Sequence, residues 1–136
     1  MAKASSVSSF ESYTLALLRI VTGFLFVEHG VQKLFGAFGG LGGGGRRAAL
    51  FSLLWIASVI ETAGGPLIIL GLFTRPIAFL LCGEMAFAYF IRHAPQGFWP
   101  LRNGGEATVL YCFIFLYLVN AGPGAFSLDR WIRKKS

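Results

Sequence analysis

The sequence predicts an all-α, polytopic membrane protein: a four-transmembrane-helix bundle with a short C-terminal amphipathic helix. Three observations predict it. Charged residues are 13% of the 136 and hydrophobic residues 55%, with a mean hydropathy of +0.66, whereas a soluble domain carries about 25% charged and about 45–50% apolar residues. Four apolar blocks approach the roughly 20 residues that a bilayer-crossing helix needs. Between them lie short stretches rich in Gly, Pro and Arg, the chemistry of turns and of the membrane interface. The length fits one unit, a single transmembrane domain over 1–136.

The first span is expected at about 13–35. Lys3 precedes its apolar run as in a signal peptide, but the run is too long and lacks a clean small-residue cleavage site, so an uncleaved span is expected. The glycines from Gly36 to Gly45, followed by Arg46 and Arg47, predict a flexible connector. It lacks the Gly-Lys-Ser/Thr of a phosphate-cradling loop. The second span is expected at about 50–72 and the third at about 76–93. The stretch from Gly71 to Pro76 between them is a tight turn, and Pro76 suits the first turn of the next helix, giving an antiparallel hairpin. The run from His93 to Gly105 holds two prolines, Phe98 and Trp99, and predicts a structured interfacial loop. The fourth span is expected at about 106–121 and, like the third, is short. Gly122-Pro-Gly124 stops it, and Ser127 then caps a short helix with Asp129 in its first turn.

The net charge of +6 does not indicate nucleic acid, because the basic residues form neither one helical face nor an aromatic-interleaved patch. Arg130, Arg133, Lys134 and Lys135 instead cluster beside the last span, where they set topology and touch lipid heads. With Lys3 and Arg75 they outnumber Arg46, Arg47, Arg92 and Arg102 on the opposite side, which favours both termini inside a bacterial inner membrane. Cys82 and Cys112 each sit in an apolar run, outside any Cys-x-x-Cys, and are expected to be small buried hydrophobes.

Every span contains a group that lipid rejects: Arg19, Glu28, His29 and Lys33 in the first, Glu61 in the second, Glu84 in the third, and Glu106 at the start of the fourth. Each charge facing lipid at mid-membrane would cost about 2.5–3.5 kcal/mol, so these groups are expected to face inward and pair. Helical phase puts Arg19, Thr22, Gly23, His29, Gly30 and Lys33 on one face and Glu28 on the other. Glu61 shares a face with Ser58 and Gly65, and Glu106 with Phe113, Tyr117 and Asn120. By helix rise, His29, Lys33, His93 and Glu106 lie toward the outside and Glu61 near the middle. Arg19 and Glu84 lie toward the inside, with Arg19 placed to pair with Glu84 or Glu61. Such a polar seam is consistent with ion pairs that fix register, with a ligand or quinone site bearing proton-carrying carboxylates, with a metal site, or with a transport path. For a metal only weak candidates exist, His29, His93 and Glu106, without the repeated Glu-x-x-His of di-iron bundles.

The order of motifs resembles the DoxX family: Arg19, Gly23, then His29-Gly-Val-Gln-Lys33-Leu-Phe-Gly36, Glu61-Thr-Ala-Gly-Gly65, Gly71-Leu-Phe-Thr-Arg75, Glu84-Met85, Asn103-Gly-Gly-Glu106, Gly122-Pro-Gly124 and Ser127-Leu-Asp129. It covers about residues 15–130. The resemblance implies a four-span membrane protein with a redox-linked role at the quinone pool. The family is named for its likeness to a small membrane subunit associated with thiosulfate:quinone oxidoreductase and terminal quinol oxidase, and other members are linked to membrane-associated oxidoreductase assemblies in redox-stress defence. It carries over Arg19, His29, Lys33, Glu61, Glu84 and Glu106 as site positions, and leaves Glu28 outside the pattern. The sequence has no covalent haem motif, iron–sulfur cysteine set or flavin fingerprint. No covalently bound cofactor is therefore expected. The protein either binds a quinone itself or anchors redox subunits as a non-catalytic accessory, with the lipid membrane and other redox subunits or further copies of itself as partners.

Overall fold

The structure, a computed structural model, describes residues 9–135. Six α-helices follow in chain order: α1 (Ser9–Phe35), α2 (Leu53–Leu70), α3 (Thr74–Ala88), the short α4 (Pro100–Asn103), α5 (Glu106–Ala121) and α6 (Leu128–Lys135). α3 continues through a π-helical turn (Tyr89–His93) and a 3-10 turn (Ala94–Gln96), so 74–96 forms one helical run of 23 residues. Among the described residues three helical runs are long and apolar enough to cross a membrane, and the apolar α5 completes the bundle at about 24 Å. Lys3, counted in the charge asymmetry, lies outside the described residues.

The bundle is built from two intimate pairs, α1 with α2 and α3 with α5. α1 and α2 approach at glycines. A Cβ on Gly30 would lie 2.7 Å from Thr62 N, and one on Gly23 would lie 3.0 Å from the Gly65 carbonyl oxygen. Small residues allow this contact, which supplies the dispersion energy that holds helices together in lipid. The two pairs meet over a core of Phe26, Ile68, Leu81, Met85, Phe115 and Leu118. Phe26 and Phe115 meet edge to face, with centroids 4.9 Å apart. The outer surface carries exposed Phe24, Leu25, Phe79, Phe87, Leu110 and Phe113, the apolar belt of a protein that faces lipid.

The fourth span is turned differently from the expectation. The face that carries Glu106, Phe113, Tyr117 and Asn120 is exposed, and Phe115 and Leu118 point inward. On an almost wholly apolar helix, packing volume rather than polarity selects the buried face. The glycine-rich connector also differs, being a hydrogen-bonded turn rather than a loose tether. Leu41 N donates to Arg46 O at 2.9 Å, and Ala48 N to the Lys33 carbonyl at 2.8 Å. Its glycines serve positive φ, as at Gly40 and Gly42.

At one end of the bundle α6 folds back over the start of α1 and the α2–α3 turn. Ala125 N donates to Ser12 O at 3.1 Å and Asp129 N to Gly71 O at 2.9 Å. The Asp129 carboxylate caps α3 from this distance, accepting from Phe73 N at 2.8 Å and Thr74 N at 2.9 Å. At the other end the buried Asn103 amide ties the 97–105 loop to α3, donating to Gly97 O at 2.7 Å and to the Tyr89 hydroxyl at 3.2 Å. Tyr89 in turn donates to the Phe98 carbonyl.

Candidate functional site

α1, α2, α3 with its π turn, and α5 all contribute walls to one cavity of about 400 Å³ toward the Asn103 end. Most of the lining is apolar: Phe26, Leu53, Leu54, Ala57, Met85, Phe87, Ala88, Ile91 and Ala107, with Tyr111 across from α1. His29, Lys33, Glu61, Glu84, Arg92, His93 and Thr108 supply the polar groups.

Lys33 lies on the α1 face that meets α2, and Glu61 on the Ser58–Gly65 face that meets α1. Their ion pair is bidentate, with Lys33 Nζ 2.6 Å from both Oε1 and Oε2 of Glu61. Glu61 is only 2% exposed, so its charge is matched by an ammonium on the neighbouring helix. Glu84 comes from α3, opposite this pair. Both its carboxyl oxygens are buried and have no hydrogen-bond partner among the described residues. A buried polar group left this way is costly, and native structures keep such groups for a reason. His29 stands at the rim, exposed, with its ring edge-on to Tyr111 at 5.9 Å. His93 is held by the Asn103 carbonyl, 3.0 Å from Nδ1, while Nε2 lies 3.3 Å from the Thr108 hydroxyl.

The cavity thus gathers four of the six predicted site positions: His29, Lys33, Glu61 and Glu84. Glu84 shares it with Lys33 and Glu61 rather than standing with Arg19 on the inner side. Arg19 and Glu106 are elsewhere. Glu106 is exposed at the first turn of α5, on the outward face of that helix.

Arg19 pairs with neither Glu61 nor Glu84. It is fully buried, and its guanidinium is enclosed by backbone carbonyls: Pro123 at 2.7 Å, Ile68 at 2.7 Å, Ala125 at 3.1 Å, Phe126 at 3.0 Å, and Ile69. The reason is local. The end of α2 and the Gly122–Gly124 turn both leave carbonyls that no helix bond satisfies, and a planar fork of five N–H donors serves many of them at once. Among the described residues no three His, Cys, Asp or Glu side chains gather as a metal site. His29 and His93 both line the cavity, and Glu106 does not join them.

Sequence reasoning underrated His93 and missed Thr108 and Tyr111. In an uninterrupted α-helix the nine residues from Glu84 to His93 turn through about 900°, which sets the two side chains on opposite faces. The π turn at Tyr89–His93 changes that phase and brings His93 to the cavity that Glu84 lines. The Cys residues are also closer than their separation suggests. Cys82 and Cys112 face each other across α3 and α5, with sulfurs 3.7 Å apart.

The chain is similar to known proteins. The sequence profile of the DoxX family matches residues 14–94. A protein of Haemophilus influenzae named "Uncharacterized protein" is 46% identical, over 96% of this chain and 99% of its own length. The "Inner membrane protein YphA" of Escherichia coli is 31% identical over 85% of this chain and 88% of its own. The "Putative oxidoreductase CatD" of Bacillus subtilis is 29% identical over 93% and 91%. No solved structure matches. With a four-helix apolar bundle, a lipid-facing surface and this profile match, the chain is a multi-pass membrane protein and belongs to the DoxX family.

Proposed function

We propose that this protein is an inner-membrane subunit of a quinone-linked oxidoreductase, with both termini cytoplasmic, and that the cavity receives the quinone head group. The observation that carries the reading is the unpartnered Glu84 carboxyl, set in an apolar cavity beside the Lys33–Glu61 pair. A quinone ring suits apolar and aromatic walls such as Phe26 and Tyr111, and its two carbonyl oxygens need donors. Lys33, His29, Arg92, Thr108 and, when it carries a proton, Glu84 are donors along this cavity. The volume of about 400 Å³ falls within the range of small-molecule sites.

A bound quinone supplies the redox change, taking up two electrons and two protons when it is reduced. Glu84 and the Lys33–Glu61 pair hold and exchange protons at the cavity wall. Phe26, Met85 and Tyr111 exclude water from it. The electrons are assigned to a partner subunit of flavin, haem or iron–sulfur class. The name of the Bacillus relative is in keeping with this reading, as is that of the Escherichia relative with an inner-membrane location.

The test is quinone-dependent stabilisation of the purified chain in detergent. A short-chain quinone at about a hundred times its dissociation constant adds about 2.7 kcal/mol of stability, a rise of several degrees in Tm. The rise is expected to vanish in Glu84→Leu and His29→Ala and to survive in Glu106→Gln. If no quinone stabilises the wild type, the cavity is not its site. Co-purification of a redox partner with such a chain would then identify an accessory anchor.

A further inference from the structure

The end of the bundle away from the cavity carries a second cleft, which the quinone reading does not use. It lies between the start of α1, the end of α5 and α6, with a volume of about 370 Å³. Arg75, Arg130, Arg133 and Lys134 line it, and among the described residues no carboxylate does. Four like charges around one cleft repel each other, and an anion seated between them relieves that repulsion.

The arginines are positioned by neutral acceptors. Arg75 donates to Val119 O at 2.8 Å, Arg130 to the Ser12 hydroxyl at 2.9 Å, and Arg133 to Asp129 O at 3.3 Å. Each bond uses one N–H of a five-donor fork and fixes its orientation. The Asp129 carboxylate on α6 is turned away to cap α3, with both oxygens engaged by backbone N–H groups.

The surroundings name the anion. Tyr13, Phe126 and Trp131 are exposed at this end, with Tyr13 and Phe126 rings 5.5 Å apart. Such aromatics lie at head-group depth. Leu15 and Pro123 form an apolar wall of the cleft, and Leu15 belongs to the spanning helix α1. A ligand with a phosphate above and hydrocarbon below matches both halves, and basic pockets beside spanning helices bind anionic head groups. We propose that this cleft is a binding site for an anionic phospholipid, with its phosphate between Arg75, Arg130, Arg133 and Lys134 and its acyl chains along α1 and α5.

The experiment compares phosphatidylglycerol with phosphatidylcholine on the full chain, reading lipid retained in native mass spectrometry and the Tm in lipid-supplemented detergent. The wild type is expected to retain phosphatidylglycerol selectively. At about a factor of five per charge, removing three charges in R130Q/R133Q/K134Q weakens that binding on the order of a hundredfold. R46Q/R47Q, at the opposite end, is expected to leave it unchanged. Arg133→Gln alone, which gives up a bond within its own helix and a solvent-screened attraction to Asp129, is the variant to use if the triple variant does not fold, with a loss of about fivefold. Equal retention of the two lipids by the wild type overturns the proposal. So does unchanged selectivity in Arg133→Gln, or in a folded triple variant. Millimolar inorganic phosphate that raises the Tm as much as phosphatidylglycerol does would mark a free-anion site and overturn the lipid assignment.

Discussion

Arg19 shows how far one side chain departs from the role its charge suggests. By phase it belongs to the seam face of α1, and it is indeed buried there. Its partners, however, are the carbonyls of two chain segments that come within reach only when α2 and the Gly122–Phe126 stretch pack against α1. Arg19→Lys keeps the charge but not the fork. It is expected to lower stability by about 3 kcal/mol or more, because buried carbonyls lose charge-assisted bonds. Thermal unfolding in detergent measures this, and a lysine variant as stable as the wild type would show that the carbonyl enclosure is not needed. The Lys33–Glu61 pair makes a different prediction. Lys33→Met strands a buried carboxylate, at about 3–5 kcal/mol, whereas adding Glu61→Gln to it recovers much of the loss. Additive losses in the double-mutant cycle would show that the two groups do not interact. Site residues were legible as types. That Lys33 pairs with Glu61 was not legible, because phase on one helix does not say which helix stands opposite, and that Glu84 and His93 line one cavity was hidden by the π turn between them.

At the scale of elements, the helices followed from apolar blocks and punctuation. Ser52 caps α2 by accepting from Trp55 N at 3.1 Å, and Gly71 ends it with φ 65°. Ser127 caps α6, as its position predicts, accepting from Arg130 N at 3.3 Å. The cap of α3 was hidden, since Asp129 lies 55 residues from Thr74. Burial alone raises the Asp129 carboxyl, but the Thr74 and Phe73 N–H donors and the nearby Arg133 outweigh it and hold the group below its ordinary 3.8. A carboxyl depressed on folding stabilises the protein above its unfolded value, and that stability is lost as pH falls through the folded value. Wild type is therefore expected to lose stability below about pH 4 relative to Asp129→Asn. Unfolding curves of both proteins across acid pH check this, and parallel curves would exclude the cap as the source. Between α1 and α2 the glycines are equally specific. Gly65→Ala would place a methyl against Val27 and 3.1 Å from Gly23 O, and is expected to cost about 1–3 kcal/mol. Unchanged unfolding would mean that the two helices can part freely.

The whole molecule is two helix pairs joined over an aromatic core, and the α3–α5 pairing has a direct test. Under mild oxidation with copper phenanthroline and dioxygen, Cys82 and Cys112 are expected to form an intramolecular disulfide. Two alkylatable thiols would disappear, and Cys82→Ser would abolish the change. Cross-linked dimers in place of an internal bridge would mean that the two sulfurs do not face each other. The same architecture places Arg75 and the α6 basic cluster at one end and Arg46, Arg47 and Arg92 at the other.

The sequence by itself determined the class of solvent, the all-helical architecture, the family and the residue types of the seam. These are properties of composition and of local periodicity, and hydrogen bonding within lipid leaves a helix no competitor. Tertiary structure alone decided that Arg19 serves carbonyls, that Glu84 has no hydrogen-bond partner among the described residues, that Glu106 faces outward, and that four cations share one cleft. Each of these depends on which helix packs against which, and on the phase shift of the π turn. Those are set by the close packing of side-chain volumes, which no single segment contains.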